Sequence, residues 1–186
     1  ADVKQLMTNP NGVDWGFGVS PGTGEYFLIE NRQKVGYDAG LPGCGLLIWH
    51  VDESVSSSNT ANADENHRLV DLEQADGHAS LNTTTFRGDA GDPYPGSSNN
   101  LSFSPITNPN SKLYTGNNSG VALTVTTTSC AATMNLNVTV PGGPVRFPAP
   151  AGSGACRWTT WSSSPSAGAP PSTGGPPRRG STPSPS

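Results

Sequence analysis

Little of this sequence is apolar. Hydrophobic residues make up 32% and aromatic residues 7% of the 186, below an ordinary globular mix, so less than the whole length can bury a core. No apolar run approaches the roughly 18 residues of a membrane helix; the longest, "GLLIWHV" from Gly45, is strand-sized. Histidine is sparse too. His50, His67 and His78 fall in no H-E-x-x-H spacing, which excludes a zinc site built on one helix. The glycines of "GFG" and "GTG" complete neither phosphate-loop pattern. The first residues, "ADVKQLMTNPNG", lack a basic start followed by an apolar stretch, so no signal peptide is expected. The protein either stays inside or begins within a longer precursor.

Charge and proline divide the chain at residue 140. Residues 1–140 hold all 14 acidic residues and six of the ten basic ones, a formal charge of −8. Residues 141–186 hold no acid, four arginines and eleven of the eighteen prolines. The first part can build a core; the second cannot offset its ordering entropy. An acidic body excludes nucleic acid and anionic membranes as partners, because both need a basic face that displaces counterions. The tail reads either as a linker or spacer, or as the out-of-frame translation of GC-rich DNA.

What is present is mostly strand. "EYFLIENRQ" (25–33) alternates after the turn "SPGTG", and "GLLIWHVDE" (45–53) is a continuous apolar run of the kind buried on both faces. "ENHRLVDLEQADG" (65–77) suits a short strand better than a helix. From His78 to Tyr114, Ser, Asn, Thr, Gly and Pro crowd around isolated apolar anchors, the mark of a functional or inserted segment. Val121, Leu123 and Val125, then Met134, Leu136, Val138 and Val140, alternate with polar residues as an antiparallel hairpin. The expected fold is therefore mainly β: antiparallel strands in a loop-rich domain over 1–140, followed by a disordered Pro/Ser/Gly-rich tail over 141–186.

Three cysteines, Cys44, Cys130 and Cys156, show no C-x-x-C spacing. Either Cys44 and Cys130 form a bridge in an exported protein, or both are buried free thiols. "GVSPG" (18–22) matches the G-x-S-x-G nucleophile elbow at Ser20. It fails chemically: the residue after the serine, Pro21, has no N–H for an oxyanion hole, and a strand follows where a helix is required. His50 with Asp52, and His67 with Asp71, are too common as packing or surface pairs to mark a site. Four N-x-[ST] sequons, at Asn82, Asn100, Asn117 and Asn137, arise readily in so Asn-, Ser- and Thr-rich a chain. Carboxylates are the more plentiful chemistry. Asp52, Glu53, Asp71, Asp76, Asp89 and Asp92 are hard oxygen donors, several of them near Gly- and Asn-rich loops, and suit calcium; the competing reading is a solvated acidic surface.

The order of four separated segments carries a resemblance. "GEYFLIENRQKVGYDAGLPGCGLLIWHVDES", "NHRLVDLEQADG", "GDAGDPYPG" and "SGVALTV" occur in that order over roughly residues 20–140. Together they resemble the region downstream of the zinc helix in immune inhibitor A-type metallopeptidases, the M-six family. The resemblance implies a secreted bacterial endopeptidase whose H-E-x-x-H helix lies upstream of Ala1. It further implies that the parent, not this chain, holds zinc and cleaves protein or peptide substrates, with the missing N-terminal catalytic half as partner. No zinc ligand or catalytic residue transfers to any position here. In this reading "LLIWHVDE" is a core strand, and His50 is packed or hydrogen-bonded rather than a ligand. The competing function is a calcium-binding β-sandwich interaction module of a secreted protein.

Overall fold

Strand 25–32 pairs with strand 45–52 because each offers an apolar side chain at every second position to a shared core. In the computed structural model, which describes residues 3–7, 22–55, 61–83 and 85–140, these are β2 (Glu25–Arg32) and β3 (Gly45–Asp52). They run antiparallel with Phe27 opposite His50 and Ile29 opposite Ile48. β1 (Val3–Met7) adds to the far side of β2, and β4 (Val70–Leu72) to β3, giving a four-stranded sheet in the order β1-β2-β3-β4. A second antiparallel sheet comprises β5 (Ser102–Phe103), β6 (Ala122–Val125) and β7 (Leu136–Thr139), with β6 in the middle. The architecture is mainly β and loop-rich, as the alternation patterns require.

One core joins the sheets. Phe27, Ile29, Leu46 and Ile48 from the first meet Phe103, Leu123, Val125, Leu136 and Val138 from the second, with Met134 and Tyr94 filling between. Phe27 and Phe103 touch edge to face at 5.2 Å, an arrangement that aligns a positive ring edge with a negative face. β3 is buried on both sides: Leu46 and Ile48 enter the core, while Leu47 and Val51 are buried on the opposite face. That accounts for its unbroken apolar run.

Two devices clamp the loops to this frame. Cys44, just before β3, is bridged to Cys130 in the β6–β7 loop, 86 residues away. In the chain-entropy account a crosslink of that span stabilises by about 4–5 kcal/mol. Beside it the Asn31 and Gln33 amides donate to the Ala131 carbonyl, and Asn31 also to Ala132. The second device is a backbone bridge: Leu46 and Tyr94 exchange both N–H to O bonds, at 2.8 and 2.7 Å. Gly45 permits this approach, since a Cβ there would lie 2.6 Å from the Tyr94 carbonyl oxygen and its φ is +141°. The segment 88–96 is thus fixed against the sheet rather than free in solvent. Among the described residues no helix is long and apolar enough to cross a membrane. The tail 141–186, Cys156 and the Ser20 motif lie outside the described residues.

Candidate metal centre

The strand register sorts the carboxylates into two groups. At the end of β3, His50 is 3% exposed and sits between two acids: Nε2 is 3.0 Å from Glu25 Oε1 and Nδ1 3.2 Å from Glu73 Oε1. Burial by itself would lower its pKa, but the two carboxylates more than reverse this and push it up to about 9. His50 is therefore an imidazolium at neutral pH. Its ring stacks on Tyr114 at 4.4 Å, and Tyr114 also meets the His67 ring at 4.3 Å. Glu25 Oε1 also accepts the Tyr114 backbone N–H at 2.6 Å.

Three of the sequence candidates belong to this satisfied region. Asp52 Oδ2 lies 2.7 Å from His67 Nε2, and its Oδ1 accepts the Ser54 N–H. Burial opposes ionisation of Asp52, yet the bonds from Ser54 and His67 hold its carboxyl below the usual range. Glu53 is wholly buried against Gly24, where its carboxylate adjoins the Tyr26 phenol; burial first, then that neighbouring charge, pushes the phenol up. Asp71 is paired with Arg68 at 2.8 Å, and Arg68 also binds Glu65. Among the described residues, none of Asp52, Glu53 and Asp71 joins a cluster that could share a metal.

Asp76, Asp89 and Asp92 do come together: one carboxylate oxygen from each lies within 4.8 Å of the others. Local backbone chemistry builds the pocket. Asp89 Oδ1 accepts the Gly91 N–H at 2.6 Å, and Asp92 Oδ2 accepts the Asp89 N–H at 2.6 Å, so the "GDAGD" turn folds its acids inward. The Ala75 N–H donates to the Asp92 carbonyl at 2.9 Å, which brings Asp76 against this turn. Gly91 leaves room for the carboxylates, because a Cβ there would meet Asp76 Oδ2 at 2.8 Å and Asp89 Oδ1 at 2.9 Å and push those oxygens aside.

The electrostatics are incomplete. Asp92 is 4% exposed, and its Oδ1 has no hydrogen-bond partner. Burial, with the Asp89 and Asp76 charges, raises its pKa. The side chain against this group is His78, which lies 3.1 Å from Asp76 but is 76% exposed. A buried carboxylate oxygen with no donor is costly unless something positive completes it. The donors in the cluster are all carboxylate oxygen, with no imidazole or thiolate among them, the donor chemistry that suits a hard cation such as calcium. Loop carbonyls and water would supply the remaining ligands.

Sequence reasoning did not find Glu25, Glu73 and Tyr114 around His50. They are far apart in the chain and carry no motif. Compared with protein-family profiles, with curated proteins and with solved structures, the chain matches none.

Proposed function

We propose that residues 1–140 are a calcium-stabilised, non-catalytic part of a secreted metallopeptidase of the immune inhibitor A type. The observation that carries the calcium half of this reading is the unpartnered, buried Asp92 oxygen beside Asp76 and Asp89. The peptidase half is supported by the meeting of the four resembling segments. Three of them supply β2, β3, β4 and the aspartate turn bonded to them, while the fourth supplies β6 of the same core. A disulfide between Cys44 and Cys130 agrees with export to an oxidising compartment. In this reading zinc and peptide-bond hydrolysis would belong to the parent's catalytic half, and proteins or peptides to the parent's substrates, since this sequence contains no H-E-x-x-H.

Calorimetric titration of the purified chain tests the calcium half: one equivalent of calcium binds, and Asp89→Asn with Asp92→Asn together abolishes it. The same preparation shows no stoichiometric zinc and no chelator-sensitive proteolysis; finding both overturns the assignment. Sequencing the genomic locus then tests the peptidase half, which requires an in-frame H-E-x-x-H upstream.

A second reading, a self-sufficient calcium-binding interaction module, is favoured by the closure of one core between two sheets. A cooperative melt of the isolated chain, with no upstream zinc motif in its locus, selects it. Aggregation through an uncovered apolar face selects the peptidase part.

A further inference from the structure

Beside the aspartate cluster the chain changes character across one peptide bond. Before it, Thr85, Phe86 and Arg87 stand exposed. The Phe86 N–H meets the Thr83 carbonyl at a long 3.4 Å, and among the described residues Arg87 has no hydrogen-bond or ion-pair partner. Beyond the bond, the backbone is held by the proposed ligands themselves. Gly88, at φ +81°, lies so close to Asp92 that a Cβ would meet Oδ2 at 2.6 Å. The Asp89 N–H donates to that same oxygen at 2.6 Å, and the Ala90 carbonyl accepts the Ser97 N–H at 2.8 Å.

The side chain at this boundary gives the bond a chemical address. Arg87 is the only Lys or Arg between Arg68 and Lys112. Arg68 is withdrawn, being 12% exposed and paired with Glu65 and Asp71. Arg87 is exposed on a loop, where proteolytic nicking concentrates. A protease specific for basic residues takes its substrate as an extended strand that runs past the scissile bond. Phe86 and Arg87 can enter such a cleft as they stand. Gly88, Asp89 and Ala90 can follow only by leaving Asp92 and Ser97, which takes Asp89 out of the cluster.

We propose that the Arg87–Gly88 bond is a cleavage site for a protease that cuts after basic residues, closed while calcium occupies Asp76, Asp89 and Asp92 and opened by its loss. This rests on the calcium reading above, whose support is the unpartnered Asp92 oxygen. The cut consumes one water: its hydroxyl joins the Arg87 carbonyl carbon, the C–N bond breaks, and the Gly88 nitrogen takes the proton. Calcium thereby guards the chain, which stays intact where calcium is abundant and is nicked where it is scarce. Cleavage that must wait for the turn to open follows the population of the open form. If only the closed form binds calcium, that population falls about a hundredfold at a calcium concentration about a hundred times the dissociation constant.

The test is limited proteolysis of the full 186-residue chain by trypsin, in calcium and in EDTA, with the cut bonds identified by mass spectrometry. A chromogenic arginine substrate in the same digest standardises the trypsin. The Lys34–Val35 bond, exposed in the β2–β3 loop, separates a local effect from a global one. In EDTA the chain is cut after Arg87. Calcium slows that cut about a hundredfold and the Lys34 cut less than about twofold. Asp89→Asn with Asp92→Asn is cut after Arg87 at one rate in both solutions, and Arg87→Gln escapes that cut while keeping wild-type calcium affinity. Calorimetry on the same preparation separates the two claims. Calcium that binds but slows the Arg87 cut less than about threefold, or slows both cuts equally, overturns the guarded bond and leaves the metal site standing. No cut after Arg87 in EDTA does the same, and calcium that does not bind at all overturns both.

Discussion

The acids around His50 and the acids of the 76–92 cluster are both buried or half-buried, but their surroundings differ in one respect. Around His50 the fold supplies its own partners: His50 lies between Glu25 and Glu73, His67 bonds to Asp52, and Arg68 pairs with Asp71. Around Asp92 it supplies backbone N–H groups and a mostly exposed His78, and one oxygen is left unbonded. A closed ionic network holds a structure together. In the calcium reading proposed above, an open one of three carboxylates takes its counter-charge from outside.

The contrast is most strongly tested at His50. His50→Ala leaves Glu25 and Glu73 facing each other without a cation and lowers unfolding free energy by about 3–5 kcal/mol, read by urea titration. Adding Glu25→Gln and Glu73→Gln to that variant recovers much of the loss, because the two buried charges go with the imidazole. If the triple variant is no more stable than His50→Ala, the network is not the source of the stability.

In the open cluster the effect comes from the solution. At a calcium concentration about a hundred times the dissociation constant, unfolding free energy rises by about 2.7 kcal/mol, seen as a raised melting temperature that EDTA reverses. Gly91→Ala pushes a methyl group against the Asp76 and Asp89 oxygens, so calcium affinity falls by about tenfold or more. A calcium-free melt that already equals the calcium-loaded one removes the distinction between the clusters.

Acid and alkali separate the regions further. The His50 pKa is raised from 6.5 to about 9 on folding. Its stabilisation is therefore fully present below pH ~6.5 and lost as pH rises toward 9, on the order of 3 kcal/mol. Asp52 has its pKa lowered, so its contribution is present at neutral pH and lost as pH falls through the folded value. Asp92 has the opposite sign: its pKa is raised, and in the metal-free protein its protonation on acidification favours the folded state. Stability measured in EDTA from pH 3 to 6 should thus fall more steeply with acid in Asp92→Asn than in the wild type. The smallest effect is at His67, which is partly exposed on Tyr114; His67→Ala costs about 1 kcal/mol.

Much of the frame was legible before any coordinates. The period-2 alternation placed β2, β6 and β7, and the unbroken apolar run of residues 45–51 marked β3 as buried on both faces. The weaker pattern at 69–72 also resolved as a strand, β4. The aspartate turn was visible as chemistry, a set of hard oxygen donors on glycine-rich backbone. Its selection was not visible. Asp52, Glu53 and Asp71 were equally plausible ligands, and only the pairing of β3 with its neighbours gives them His67, Tyr26 and Arg68 as partners. The choice between free thiols and a bridge likewise depended on the meeting of residues 44 and 130.

Strand identity is written in the nearest neighbours, because backbone pleat and side-chain alternation act over two residues. The sequence alone therefore determined the β class, the acidic body and the location of the apolar runs. Which carboxylate meets a cation and which meets two others of its kind were decided by tertiary structure. Charges act through space over a few ångströms, and residues 25, 50, 73 and 114, like residues 76, 89 and 92, share that space only after the two sheets have closed on one core.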